Sequence, residues 1–221
     1  MRNLKITLAY DGADFSGWQV QPGHHTIQGE LREALRRVTG EQVLPQGSGR
    51  TDAGVHALAQ VSSVEIENPI PSSNLAVALN DILPAQIRVL LVEEAAPEFH
   101  ARTSACAKTY RYRIFRGAVC PPFLARYVYH HPWPLDEAAM AKAAESVIGE
   151  FDFTSFAAVD PKRGKIYYRR TETPKKQLGI GIVDSEAKAP APGGQATNVR
   201  RIFHSQFCRK DDELVYTVRG S

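Results

Sequence analysis

The chain has 221 residues, 43% apolar and 23% charged, with 27 Lys and Arg against 24 Asp and Glu for a formal net charge of +3. That length accommodates one large domain or two small ones with a real core, and the balance excludes disorder over most of the chain. No run of 18 apolar residues spans a membrane, no signal-like hydrophobic stretch precedes the strand-like start, and Cys106, Cys120 and Cys208 fit neither a disulfide framework nor a zinc site, so the expectation is a soluble cytoplasmic protein without structural metal.

Leu4 to Tyr10 alternates Leu4, Ile6, Leu8 and Tyr10 with Lys5 and Thr7, which predicts a strand with one buried and one polar face. After the turn-rich Asp11-Gly12 and Gly17, Thr26 is the expected N-cap of a helix carrying Ile27, Leu31, Leu35 and Val38 on one stripe. Gly40 lies beyond its end, and Glu33 four residues before Arg37 adds an exposed pair. A short strand is expected at Val43-Leu44 and a longer one over Leu58–Glu67, where Val64 and Ile66 alternate with Glu65 and Glu67. A second helix starts near Ser73, turns Leu75, Leu79 and Ile82 inward, and stops before Pro84. Ile87–Val92 is a near-continuous apolar run that reads as a well-buried strand. The order β-α-β-β-α-β is the split arrangement of ferredoxin-like domains.

A second round begins near residue 100. Lys108–Phe115 alternates Tyr110, Tyr112 and Ile114 with Thr109, Arg111 and Arg113; Leu135–Ile148 is an Ala-rich helix closed by Gly149; Val199–Arg209 and Leu214–Arg219 form a hairpin. Residues 187–197 are a low-complexity surface loop. The expected fold is α+β: two ferredoxin-like (RRM-like) units with mixed, mainly antiparallel sheets and a cleft between them, divided as 1–105 and 106–221. The second unit reads as incomplete, because the sequence stops at Gly220-Ser221 just after a strand and a sheet layer wants a further helix to cover it.

Charge is segregated. Between Glu98 and Asp136 there is no carboxylate, while Arg102, Lys108, Arg111, Arg113, Arg116 and Arg126 fall inside. From Pro161 to Leu178 seven cations face Glu172 alone. Cations interleaved with Tyr and Phe suit a polyanion that offers flat rings, although a solvated basic face has the same composition. Tyr110 and Tyr112 beside Arg111 and Arg113 fit either a core strand or a surface that stacks single-stranded bases.

The segment Gly47-Ser48-Gly49-Arg50-Thr51-Asp52-Ala53-Gly54-Val55-His56-Ala57 carries the most chemistry. Its glycines let the backbone turn sharply and approach a ligand. Arg50 beside Asp52 would hold the carboxylate ionised, ready to act as nucleophile or base; the same pair would also serve to pin a tight turn. His56 reads either as an acid/base partner or as a histidine structuring the loop. The segment is neither a G-x-S-x-G elbow nor a Walker A loop, and His24-His25 and His130-His131 lack metal-ligand spacing.

Residues 49–57 resemble the signature of the tRNA pseudouridine synthase A family. Four further segments fit in the same order: Tyr10–Gln19 (YDGADFSGWQ), Phe99–Arg102 (FHAR), Lys108–Tyr112 (KTYRY) and Asp152–Phe156 (DFTSF), with Val199–Ile202 a weaker continuation. The resemblance implies a cofactor-free, cytoplasmic isomerase that turns uridine into pseudouridine in the anticodon stem-loop of tRNA, working as a homodimer with basic clefts. It makes Asp52 the nucleophile, Arg50 its partner, and Tyr110 the ring packed on the target base; His56, Arg102, Arg111 and Arg113 are further candidates for holding substrate. The N1–C1′ bond must break and C5 must bond to C1′, so the same atoms appear before and after and no external donor is needed. The sequence leaves open whether the carboxylate attacks C1′ or C6 or removes the C2′ proton. Two departures stand out: a Phe-Leu-His-x-Met-Val-Arg-like segment and final helix of the family are not present, and residues 160–197 are longer than the usual loop. Two other functions fit the same residues, a non-catalytic RNA-binding module and a carboxylate-dependent nucleoside hydrolase.

Overall fold

Leu4, Ile6 and Leu8 are fully buried along β1 (Arg2–Tyr10), as their alternation requires. The structure is a computed structural model that describes residues 1–145 and the strands at 202–208, 213–214 and 217–218. The expected polar face of β1 is not solvated, because Lys5 and Thr7 are buried as well. The chain after residue 95 crosses that face: Asn3 donates to the carbonyls of Ala96 and Phe99, and the Ala101 N–H donates to Ser63 Oγ at 3.1 Å. Lys5 pairs there with Glu93 across the sheet at 2.6 Å.

Helix α1 (Ile27–Thr39) begins as expected, with the Gly29 N–H donating to Thr26 Oγ1, and ends at Gly40 in the left-handed region (φ +80°). Glu33 pairs with Arg36, one turn position earlier than the expected Arg37, through two bonds of 2.7 and 2.8 Å. The short strand forms three residues later than expected, as β2 (Gln46–Gly47), where Gln46 and Gly47 pair with Ser63 and Ser62 of β3 (His56–Ile66). Leu44 is half exposed, so the apolar pair Val43-Leu44 does not mark the pairing site. Helix α2 (Ser72–Ile82) buries Leu75 and Leu79 and stops before Pro84.

Strand β4 (Ile87–Ala95) is less buried than the well-buried strand expected over Ile87–Val92. Ile87, Val89 and Val92 are buried, whereas Leu90 and Leu91 are about half exposed. Thr7 pairs with Leu91 and Leu8 with Val89, so Leu90 is the extra residue of a bulge. The bulge turns Val89 and Val92 to the same side despite their odd spacing. The strands run β4-β1-β3-β2, all neighbours antiparallel, and the core gathers Leu4, Ile6, Leu8, Leu31, Leu35, Leu75, Leu79 and Ile87.

The alternation over 108–115 gives two strands instead of one. β5 (Ala105–Arg111) pairs with β8 (Ile202–Cys208), while β6 (Ile114–Phe115) pairs with β7 (Tyr129–His130) in a separate two-stranded sheet; the short helix α3 (Pro122–Ala125) lies between β6 and β7 in sequence. The expected C-terminal hairpin forms between β8 and β9 (Glu213–Leu214), whereas β10 (Thr217–Val218) runs parallel to β8 at His204 and also pairs with β3 at Ala57 and β5 at Thr109. The main sheet is thus mixed, mainly antiparallel, with eight strands among the described residues.

Contacts divide the chain into Met1–Pro132 with Pro192–Ser221 and, separately, Trp133–Ala191. Within the second, α4 (Glu137–Glu145) starts two residues later than the expected Leu135, with Asp136 Oδ1 accepting from the Ala139 N–H. The expected helix end at Ile148, the Asp152–Phe156 segment and residues 160–197 lie outside the described residues.

Candidate active site

Two loops separated by some forty residues form one unit. The Trp18 N–H donates to the Thr51 carbonyl at 3.0 Å and the Gly54 N–H to the Phe15 carbonyl at 3.2 Å. Tyr10 and Thr51 share a buried hydroxyl–hydroxyl bond of 2.9 Å. Burial pushes the Tyr10 phenol well up from its usual range, against a smaller opposite effect of that bond, so it stays a neutral partner. The two backbones touch so closely that side chains are excluded: a Cβ on Gly12 would lie 1.8 Å from the Val55 carbonyl oxygen, and one on Gly17 2.5 Å from that of Thr51. Gly17 also sits at φ +88°.

The base of the loop is held from below. Gln60, fully buried on β3, donates to the Gly49 carbonyl at 2.8 Å, and Ser48 Oγ lies 3.3 Å from its side-chain oxygen. Gly47 leaves room for the Trp18 indole, which a Cβ there would meet at 2.6 Å. Thr51 is consequently buried while its neighbours Arg50 and Asp52 are exposed. A turn closed by the Val55 N–H on the Asp52 carbonyl (3.2 Å) and by Gly54 at φ +76° holds the Asp52 side of the loop outward. Asp52 is therefore an exposed carboxylate on a rigidly mounted turn.

His56 is buried, with Nδ1 2.8 Å from Asp11 Oδ1 and Nε2 3.1 Å from the Arg126 carbonyl oxygen. Asp11 also receives the Tyr127 hydroxyl (2.6 Å) and the Ala13 N–H (3.0 Å). Burial raises its carboxyl, but the Tyr127 and Ala13 hydrogen bonds and the charges of His56 and Arg126 outweigh it and hold the group below the usual carboxylate range. Beside this cluster opens a cleft of about 390 Å³ whose lining includes Tyr10, Asp11, His56, Arg111, Arg113 and Tyr127. Tyr110 is half exposed on β5, and Thr109 pairs with Thr217 while Val218 pairs with Ala57. β8 and β10 each pair with both β5 and β3, so one strand's width on either side puts the backbones near Tyr110 and the start of β3 about 10 Å apart. Arg102 is exposed in a tight turn where His100 Nδ1 accepts from the Arg102 and Thr103 N–H groups. Asp52, Arg50 and His56 thus share one loop, Arg111 and Arg113 share the cleft with His56, and Arg102 stands apart in its own turn.

Reading the sequence missed Asp11, Tyr10, Trp18, Arg126 and Tyr127 as site residues. Tyr10, Asp11 and Trp18 lie in the family-like Tyr10–Gln19 segment and Arg126 in the basic stretch, but neither signal assigned them a role at the site. Among the described residues no group of three His, Cys, Asp or Glu could hold a metal ion, and no helix is long and apolar enough to cross a membrane. His25 instead meets Glu30 at 2.9 Å, and His130 lies 2.8 Å from the Gly117 carbonyl.

Residues 6–103, which include both loops, match a family model described as tRNA pseudouridine synthase. The whole chain is 50% identical to the tRNA pseudouridine synthase A of Solibacter usitatus, spanning 80% of that protein. It is also 52% identical over 157 residues to that of Moorella thermoacetica and 45% identical over 158 to that of Caldicellulosiruptor saccharolyticus, covering 70% and 72% of this chain and 64% and 65% of theirs. These matches place the chain in a class of RNA-modifying isomerases. Within that class, it belongs to the tRNA pseudouridine synthase A family.

Proposed function

We propose that the protein isomerises uridine to pseudouridine in the anticodon stem-loop of tRNA, with Asp52 as the nucleophile and without a cofactor. The observation that carries this reading is the mounting of Asp52: an exposed carboxylate whose neighbour Thr51 is locked by Tyr10 and Trp18. A nucleophile must be held in place while the base it has displaced turns and re-bonds, and such a mount supplies that. Arg50, exposed two residues before Asp52, keeps charge balanced as the carboxylate reacts. Tyr110 offers its half-exposed ring to the extruded base. Arg111 and Arg113 in the cleft, with Arg102 on its turn, contact phosphates and offset the few kcal/mol spent on unstacking. The strand order β4-β1-β3-β2 supports a ferredoxin-like first unit, and the family's homodimer and cytoplasmic setting belong to the same proposal.

Incubation with tRNA tritiated at uracil C5, with no added cofactor, tests it. The expected result is tritium release with pseudouridine in an intact chain. Free uracil would identify a hydrolase, and binding without either product an RNA-binding module.

A further inference from the structure

His56 is the last titratable residue of the 49–57 motif, yet the reaction as proposed gives it no chemical task. Its ring is boxed by acceptors at both nitrogens, Asp11 Oδ1 at 2.8 Å and the Arg126 carbonyl at 3.1 Å. A neutral imidazole has one N–H, so it can donate to one of them and must turn a lone pair toward the other; an imidazolium donates to both. The Gly12 N–H also directs a donor at Nδ1 from 3.3 Å, a longer contact than that of Asp11. Accepting from it would set the Nδ1 lone pair against a carboxylate oxygen that is closer.

The surrounding charges agree. Arg126 reaches both Asp11 (3.6 Å from Nε) and Asp14, so two carboxylates face one guanidinium, and a proton on His56 makes the cluster neutral. The Tyr127 ring lies 5.1 Å from the imidazole, a separation at which an aromatic ring attracts a cation. Asp11, held below the usual carboxylate range, stays anionic where it faces Nδ1. Arg88, Arg111 and Arg113 line the same cleft and oppose the proton. They act across a solvent-open cleft, whereas Asp11 is in contact, and screening favours the contact.

We infer that His56 is a positioning residue in its doubly protonated form, an imidazolium that bridges Asp11 to the Arg126 backbone. It thereby holds the 50–55 loop against the Asp11–Trp18 turn, and loss of its proton loosens that loop. The bridge itself is independent of the isomerase reading; only its effect on the rate rests on that reading.

Nitrogen NMR of the full chain tests the bridge, with the His56 signals assigned by their loss in His56→Gln. At pH 7 both ring nitrogens should be protonated, and as His56 titrates the amides of residues 51–56 should exchange faster while those of β1 keep their protection. Asp11→Asn should move the titration to lower pH by about one to three units. In single turnover on tRNA, wild-type rate should fall through the same pH while tRNA affinity holds. His56→Gln should lose that limb and run roughly tenfold or more slower. A singly protonated ring at pH 7, or a titration that Asp11→Asn leaves in place, overturns the bridge. A bridge that passes both tests in a protein making no pseudouridine supports the bridge and contradicts the isomerase reading instead.

Discussion

Thr51 is the residue through which the rest of the structure reaches Asp52. Its hydroxyl meets Tyr10 and its carbonyl accepts from Trp18, so the neighbouring Asp52 is carried on two buried anchors. Tyr10→Phe keeps the ring and removes one hydrogen bond, leaving Thr51 Oγ1 buried without its partner. We expect a loss of about 1–2 kcal/mol in urea denaturation and a lower rate on tRNA with binding unchanged. Asp11 makes the second prediction at this scale. Its carboxyl titrates lower in the folded protein than in the unfolded chain, so its contribution to stability is fully present above the unfolded value and is lost as pH falls through the folded one. The acid limb of the stability curve should therefore flatten in Asp11→Asn; an unchanged limb would show that other carboxylates set it.

At the level of elements, much of the first unit was legible because its signals are local. Thr26 and Gly40 bracket α1 through bonds and dihedrals within a few residues, and Leu75 and Leu79 place α2 by spacing alone. What could not be read depends on register or on distant cover. The bulge at Leu90 arises from pairing with β1, some eighty residues earlier, and Lys5 is buried because the segment after residue 95 folds over it. The same distinction separates two glycines that sequence treats alike. Gly40 and Gly17 both have positive φ, but a Cβ at Gly40 meets open space while one at Gly17 meets the Thr51 carbonyl at 2.5 Å. Gly40→Ala should cost only the conformational penalty of about 1–2 kcal/mol. Gly17→Ala should cost more in the same denaturation assay and should also slow the reaction; equal costs would refute the close approach of the two loops.

For the whole molecule, the motif residues Arg50, Asp52 and His56 were legible as a candidate site, while the frame that orients them was not. Asp11, Arg126 and Tyr127 meet His56 from segments far apart in sequence, and no spacing rule connects them. The basic character was visible in the carboxylate-free stretch from 99 to 135, and the structure puts two of its cations, Arg111 and Arg113, in the cleft beside His56. If those side chains contact phosphate, tRNA affinity should fall steeply with salt, and Arg111→Gln should weaken binding and make the log–log salt slope shallower by about 1. A slope that does not change would place Arg111 away from the backbone.

In the proposed reaction the exposed carboxylate on this braced turn forms the bond to the displaced nucleotide. The most direct measurement is single-turnover pseudouridine formation by Asp52→Asn with tRNA fully bound. No detectable product is expected, at wild-type tRNA affinity and with the fold intact; pseudouridine formed at a rate near that of the wild type would rule out Asp52 as the nucleophile.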